Sequence, residues 1–212
     1  WFHTHENRQN FSGKMWTSLP SRVVDNTMRI LDLLDEFEIK ATFFILGWVA
    51  EHHPELVKKI YSKGHEIGSH SHWHHNANKL VYKDFEKDLV RSINVLSELT
   101  GSEIISHRAP GFSIKEKNAW AFEILISHGI INDSSIQTLA YRHNKPFYME
   151  TKSGKIFEFP LVKSKLGFPY TGGGYFRALP EFLLKPIFDS ADKYTLLYFH
   201  PRDFDNKNPV SN

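Results

Sequence analysis

Short, uninterrupted apolar runs alternate along this chain with stretches whose apolar residues recur at the helical period. A run that is apolar on both faces suits a parallel strand, and parallel strands need a long crossover, usually a helix, between them. Residues 41–46 read as such a strand, and further strands are expected at 65–69, 104–107, 130–132, 156–160 and 195–200. Between them, Ser21 is placed to cap a helix presenting Val24, Met28, Leu31 and Leu34. Pro54 suits a helix's first turn, and Gly64 stops that helix. Phe85, Leu89, Ile93 and Leu96 mark the next, which ends at Thr100-Gly101. Residues 116–127 and 180–190 read as two more helices, and Gly129 leads from the first of these into a strand.

Strand-helix alternation leaves two α/β architectures, an open doubly wound sheet or a (β/α) barrel. An open sheet would usually cradle phosphates in a glycine-rich turn after its first strand. No such pattern occurs, and Gly172-Gly173-Gly174 comes too late in the chain to serve. The expectation is therefore a distorted (β/α) barrel forming a single domain over 1–212. Six strands are too few to close one comfortably, so a first strand is expected immediately before Trp1.

Composition excludes several functions. A formal charge of +2 gives no electrostatic reason to expect nucleic acid or a membrane surface as partner. No apolar run approaches the roughly 20 residues of a membrane-spanning helix. With no cysteine there is no disulfide, thiolate ligand or cysteine nucleophile, which favours a cytoplasmic address over an exported one. The chain opens at Trp1 rather than methionine, so a removed leader or anchor cannot be read from it. Oligomeric state has no signature here. Thirteen histidines and 14% aromatic residues suit a metal site beside a sugar-stacking surface, and suit equally a packed core with exposed histidines.

The polar residues at the carboxyl ends of the expected strands are more specific. One strand runs into His70-Ser71-His72-Trp73-His74-His75, and others end at Arg108, Asp133 and His200. In (β/α) barrels that end carries the active site, because its loops converge on one mouth. His70 and His74 can place two imidazoles on one divalent ion, with His72 and His75 aimed elsewhere. Nitrogen ligands without sulfur suit zinc, cobalt, nickel or iron. Arg108 can orient a carboxylate or stabilise oxyanion charge, or form a structural ion pair. Asp133 can hold a histidine tautomer or cap the turn that follows it. His200 can be a general acid/base or a satisfied core histidine.

In this order, His70-Ser-x-x-His74, Arg108-x-Pro110, Asp133-Ser and an apolar strand ending at His200 resemble the polysaccharide deacetylase (NodB-homology) family over about residues 20 to 205. Residues 40–48, 64–67, 172–177 and 198–201 resemble a bacterial branch associated with cell-surface polysaccharide synthesis. The resemblance implies a distorted barrel and one divalent metal, zinc in the first place, held by an aspartate with His70 and His74. It implies hydrolysis of the acetamide of an N-acetylated saccharide, releasing acetate. Arg108 would orient the catalytic base, and Asp133 would tune His200 as the catalytic histidine. The family's first motif, an aspartate pair that supplies the base and the third ligand, would precede Trp1. Glu6 and Asp25 end no strand and do not replace it.

The mechanism that follows is amide hydrolysis. A metal-bound water has its pKa lowered from about 15.7 toward about 7. Backbone N–H groups around Gly111 would help hold the oxyanion, and His200 would protonate the departing nitrogen. Trp16, Trp73 and Tyr175 are candidate platforms for pyranose rings, and each suits core or loop packing as well. Two other readings compete. One is a hydrolase of small amides, allantoinase-like and of the same fold. The other is a non-catalytic carbohydrate-binding barrel. A zinc protease is disfavoured because no H-E-x-x-H occurs.

Overall fold

The computed structural model describes residue 16 and residues 21–115, 118–137, 145–161, 171–189 and 194–205. The chain divides into two compact units, Lys40–Tyr198 on one side and Trp1–Ile39 with Phe199–Asn212 on the other.

The smaller unit contains helix α1, Val23–Glu36. Its buried positions are Val23, Asn26, Thr27 and Leu31, while Val24 is exposed, so its inward stripe is rotated from the expected one. Arg22 rather than Ser21 is the N-cap residue. A single turn of tight helix, Pro201–Phe204, packs on α1, where Arg22 pairs with Asp205 at 3.2 Å and Arg29 donates to the Phe204 carbonyl at 3.3 Å.

The larger unit is α/β, as expected. Strand β1 (Thr42–Ile45) leads through helices α2 (Gly47–His52) and α3 (Pro54–Ser62) to β2 (Glu66–Ser69). Helix α4 (Tyr82–Thr100) leads to β3 (Ser106–His107), and α5 (Ala119–Ser127) leads to β4 (Asn132–Asp133). A hairpin of β5 (Phe147–Thr151) and β6 (Gly154–Glu158) follows, then α6 (Gly173–Ala178) and α7 (Glu181–Asp189). The punctuation works as the sequence implies. Pro54 opens α3, while Gly64 (φ 77°) and Gly101 (φ 67°) take the left-handed conformation that stops the helices before them. Phe85, Leu89 and Leu96 of α4, Phe122, Ile124 and Leu125 of α5, Ile130 and Ile156 are all part of the buried core. Each such side chain contributes about 1.5–3 kcal/mol by leaving water.

The six strands form one sheet in the order β1-β2-β3-β4-β6-β5, parallel throughout except for the β5–β6 pair. Among the described residues the sheet is not closed. Two expectations are corrected. The segment before β6 contains the antiparallel strand β5, where no strand was expected. Residues 195–200 form no strand: Tyr198 makes one isolated bridge to Gly172, and Leu197 and Phe199 are exposed. Tyr198 packs instead on Gly172, where any β-carbon would lie 2.5 Å from its ring. Described helix α5 starts at Ala119, and Glu116 and Lys117 of the expected helix lie outside the described residues. Among the described residues no helix is long and apolar enough to cross a membrane.

Candidate active site

Register aligns the last residues of the parallel strands into one row, Ser69, His107, Asp133 and Glu158. Partners in register share a face of the sheet, and the next residue on each strand points the other way. In this row Ser69 Oγ lies 2.9 Å from Ser92 Oγ of α4, and the His107 ring meets Phe85 of α4 edge-on. His107 Nδ1–H donates to Asp133 Oδ1 at 2.7 Å, both side chains being buried. Ser135 donates to the same carboxylate twice, Oγ–H to Oδ1 at 2.8 Å and N–H to Oδ2 at 2.9 Å. Asp133 therefore caps its own turn and also holds an imidazole, that of His107. Glu158 accepts the Ile136 N–H at 2.9 Å. Burial pushes its carboxyl well above the usual carboxylate range, and neighbouring Asp133 adds to the shift.

The adjacent row carries His70, Arg108 and Ser134, whose N–H groups donate to Ile45, Ser69 and His107 respectively. Arg108 and Asp133, expected at equivalent strand ends, thus stand one residue out of register. Arg108 is half-buried as a residue, and its guanidinium donates to Ser134 Oγ (2.8 Å) and to the Ser134 carbonyl (3.2 Å) and lies 4.4 Å from the Phe44 ring centre. Gly68 makes room for that ring, since a β-carbon there would stand 2.7 Å from Phe44. Desolvation lowers Arg108 to about 10, with Asp133 and Glu158 opposing the shift, and the group stays charged at neutral pH.

The loop after β2 is bent by two left-handed residues, Ser71 (φ 65°) and His74 (φ 60°). Left-handed backbone at non-glycine residues costs about 1–3 kcal/mol each, so surrounding bonds must hold it. Asp88, buried on α4, accepts the His72 and Trp73 N–H groups at 2.6 and 3.1 Å. Gly47 N–H donates to the Ser71 carbonyl, and His74 N–H donates to Ser71 Oγ. This folding sets the rings of His70 and His74 edge-to-face with centres 5.1 Å apart. His70 Nδ1 lies 2.6 Å from the Arg108 carbonyl oxygen. A carbonyl can only accept, so Nδ1 carries the proton and Nε2 is left as the lone-pair nitrogen. His72 is wholly buried elsewhere, against Gly47 and 3.8 Å from Glu51, and burial lowers its pKa. His75 lies 3.9 Å from Asp88.

Gly111 is exposed in the turn Pro110–Phe112 with φ 66°. Tyr175 is half-buried in α6, and Trp73 lies under the Arg91 guanidinium at 5.3 Å. Trp16 and His200 belong to the smaller unit. There His200 is not the end of a buried strand: its side chain is 46% exposed and lies 3.5 Å from Asp203, which also accepts its N–H. Sequence reasoning missed His107, Asp88 and Glu158. A signal existed for two of them, since β3, β4 and β6 each end on a histidine or an acid.

His70 and His74 suit two positions of a divalent metal site, having imidazole donors and one tautomer already set. Among the described residues no group of three or more His, Cys, Asp or Glu is placed to hold a metal ion.

Comparison with known proteins agrees with the family resemblance read from the sequence. Residues 15–125 match the family described as polysaccharide deacetylase, and residues 131–212 match a domain of unknown function, DUF3473. A peptidoglycan-N-acetylglucosamine deacetylase of Bacillus cereus is 36% identical over 98 residues, covering 46% of this chain and 36% of its own. The structure of a provisionally assigned polysaccharide deacetylase from Mycobacterium smegmatis superposes with a TM-score of 0.58 at 28% identity, covering 65% of this chain and 46% of that one. A CE4 family pseudoenzyme from Bacillus anthracis shares the fold, with a TM-score of 0.60 at 16% identity over 86% of this chain and 52% of its own. The chain spans roughly a third to a half of the length of these relatives. With its family match covering just over half of the residues, its parallel α/β sheet and its strand-end histidines, the chain belongs to the polysaccharide deacetylase family.

Proposed function

We propose that this chain carries out metal-dependent hydrolysis of the N-acetyl group of an amino sugar in a cell-surface polysaccharide or its precursor. The observation that carries this reading is the His70–His74 pair with His70 Nδ1 anchored on the Arg108 carbonyl. Anchoring one ring nitrogen is how proteins ready the other for a metal. His70 and His74 would be two ligands, and a carboxylate outside the described residues would be the third. Zinc suits this donor set best, and cobalt, nickel and iron are chemically acceptable. The metal, when bound, would activate water and polarise the acetyl carbonyl. Arg108 would orient the catalytic base or stabilise the negative charge of the transition state, and its desolvation strengthens either effect. The exposed Gly111 turn would leave its backbone open to the acetyl oxygen. The resemblance in sequence to a relative named for N-acetylglucosamine deacetylation supports the substrate class.

The test is acetate release from N-acetylglucosamine oligomers, set against hydrolysis of allantoin, by the metal-loaded protein. Acetate released from the oligomers alone is the expected result. Activity on allantoin alone replaces the substrate class, and activity on neither removes the catalytic reading.

A further inference from the structure

Glu158 has no part in the mechanism just described, yet its side chain is completely buried at the end of β6. Register places it beside Asp133. Its Oε1 accepts the Ile136 N–H, no N–H or O–H donor meets the buried Oε2 among the described residues, and the Asp133 carboxylate lies within side-chain hydrogen-bonding reach. Three charged or polar groups act on it: Asp133 from β4, Arg108 from the turn after β3, and Tyr194 from the segment after α7. A second carboxylate beside Asp133 in so dry a place would be strongly disfavoured, whereas a carboxylic acid has a proton to share with it.

Asp133 in turn governs a peptide at the candidate site. Its carboxylate accepts a hydrogen bond from the Ser135 hydroxyl, and that hydroxyl oxygen accepts the Ala109 N–H at 2.7 Å. The same planar peptide unit ends in the Arg108 carbonyl, which receives His70 Nδ1–H. One side of the Arg108–Ala109 peptide is therefore clamped by the Asp133–Ser135 pair and the other by His70. A rotation of that plane moves the His70 ring. We propose that Glu158 is a positioning residue for the deacetylation proposed above, a neutral carboxylic acid that steadies Asp133 on Ser135 and thereby the peptide on which His70 rests.

This inference rests on the proposed function for its catalytic consequence, while its structural part is measurable without activity or metal. The experiment is ¹⁵N NMR of histidine side chains in the full chain, with His70 assigned through H70A, on wild type, E158Q and E158A. Glutamine is a neutral mimic of the acid. E158Q is expected to keep the His70 Nδ1–H signal and near-wild-type kcat/KM on N-acetylglucosamine oligomers. E158A is expected to shift that signal and to lower kcat/KM about tenfold, the rate equivalent of one net hydrogen bond. If E158A does not fold, E158M, closer in size and without a hydrogen-bonding group, takes its place. An unchanged His70 signal in the alanine or methionine variant overturns the proposal, as does an E158Q protein as perturbed as they are. A wild type without deacetylase activity defeats the proposed function alone, and the His70 signal still decides the role of Glu158.

Discussion

Two adjacent rows of residues cross the carboxyl end of the sheet and do opposite things. The row Ser69, His107, Asp133 and Glu158 is sealed, with every side chain at most 2% exposed and hydrogen bonds running from strand to strand. The row His70, Arg108 and Ser134 places two half-buried cationic or imidazole groups beside the loop that brings in His74. The first row is built to hold a shape and the second to meet a ligand. Because the two alternate along the same strands, chemistry on one face can be steadied by a polar network on the other.

The comparison is broken most severely at the ligand row. His70→Ala and His74→Ala are each expected to abolish metal retention and acetate release while the melting curve stays near wild type; metal analysis showing full occupancy in either variant removes the metal assignment. Arg108→Met should reduce kcat about 10²–10³-fold, as loss of an oxyanion-type charge does. It should cost little stability, because a desolvated guanidinium is expensive to keep. A large drop in melting temperature would instead move Arg108 into the structural row.

The sealed row should respond in the opposite sense. Asp133→Ala leaves the buried His107 imidazole without its carboxylate and is expected to cost about 3 kcal/mol in urea unfolding. A change under about 0.5 kcal/mol, typical of surface sites, would dissolve the distinction between the rows. The smallest effect concerns pH. An unfolded glutamate loses its proton near about 4.3. Folded Glu158 keeps its proton to a higher pH because burial disfavours the anion. Between those values the folded state binds more protons, so stability falls as pH rises. E158Q should flatten that slope, and identical slopes in the two proteins would show Glu158 ionised at ordinary pH.

Legibility in the sequence followed how local each cause is. The continuous apolar run in β1 and the stops at Gly64 and Gly101 were readable because a few neighbouring residues decide them. The hairpin strand β5 escaped because its exposed Tyr148 and half-buried Phe147 carry no continuous apolar signal. Residues 195–200 misled in the other direction, since their apolar run is met by a single glycine rather than a neighbouring strand. His70, His74 and Arg108 could be picked out as polar residues just past strand ends. Asp133 could be picked out too, and His107 carries the same strand-end signal, but that the one holds the other could not be read.

From the sequence alone came the α/β alternation, the helix stops, the family resemblance and the candidate histidine pair, all properties of residue type and short spacing. Only the tertiary structure decided which strand-end residues share a face. That choice pairs His107 with Asp133, 26 residues apart. It depends on a register set by hydrogen bonds between strands, and a slip of one residue would turn every side chain to the opposite side.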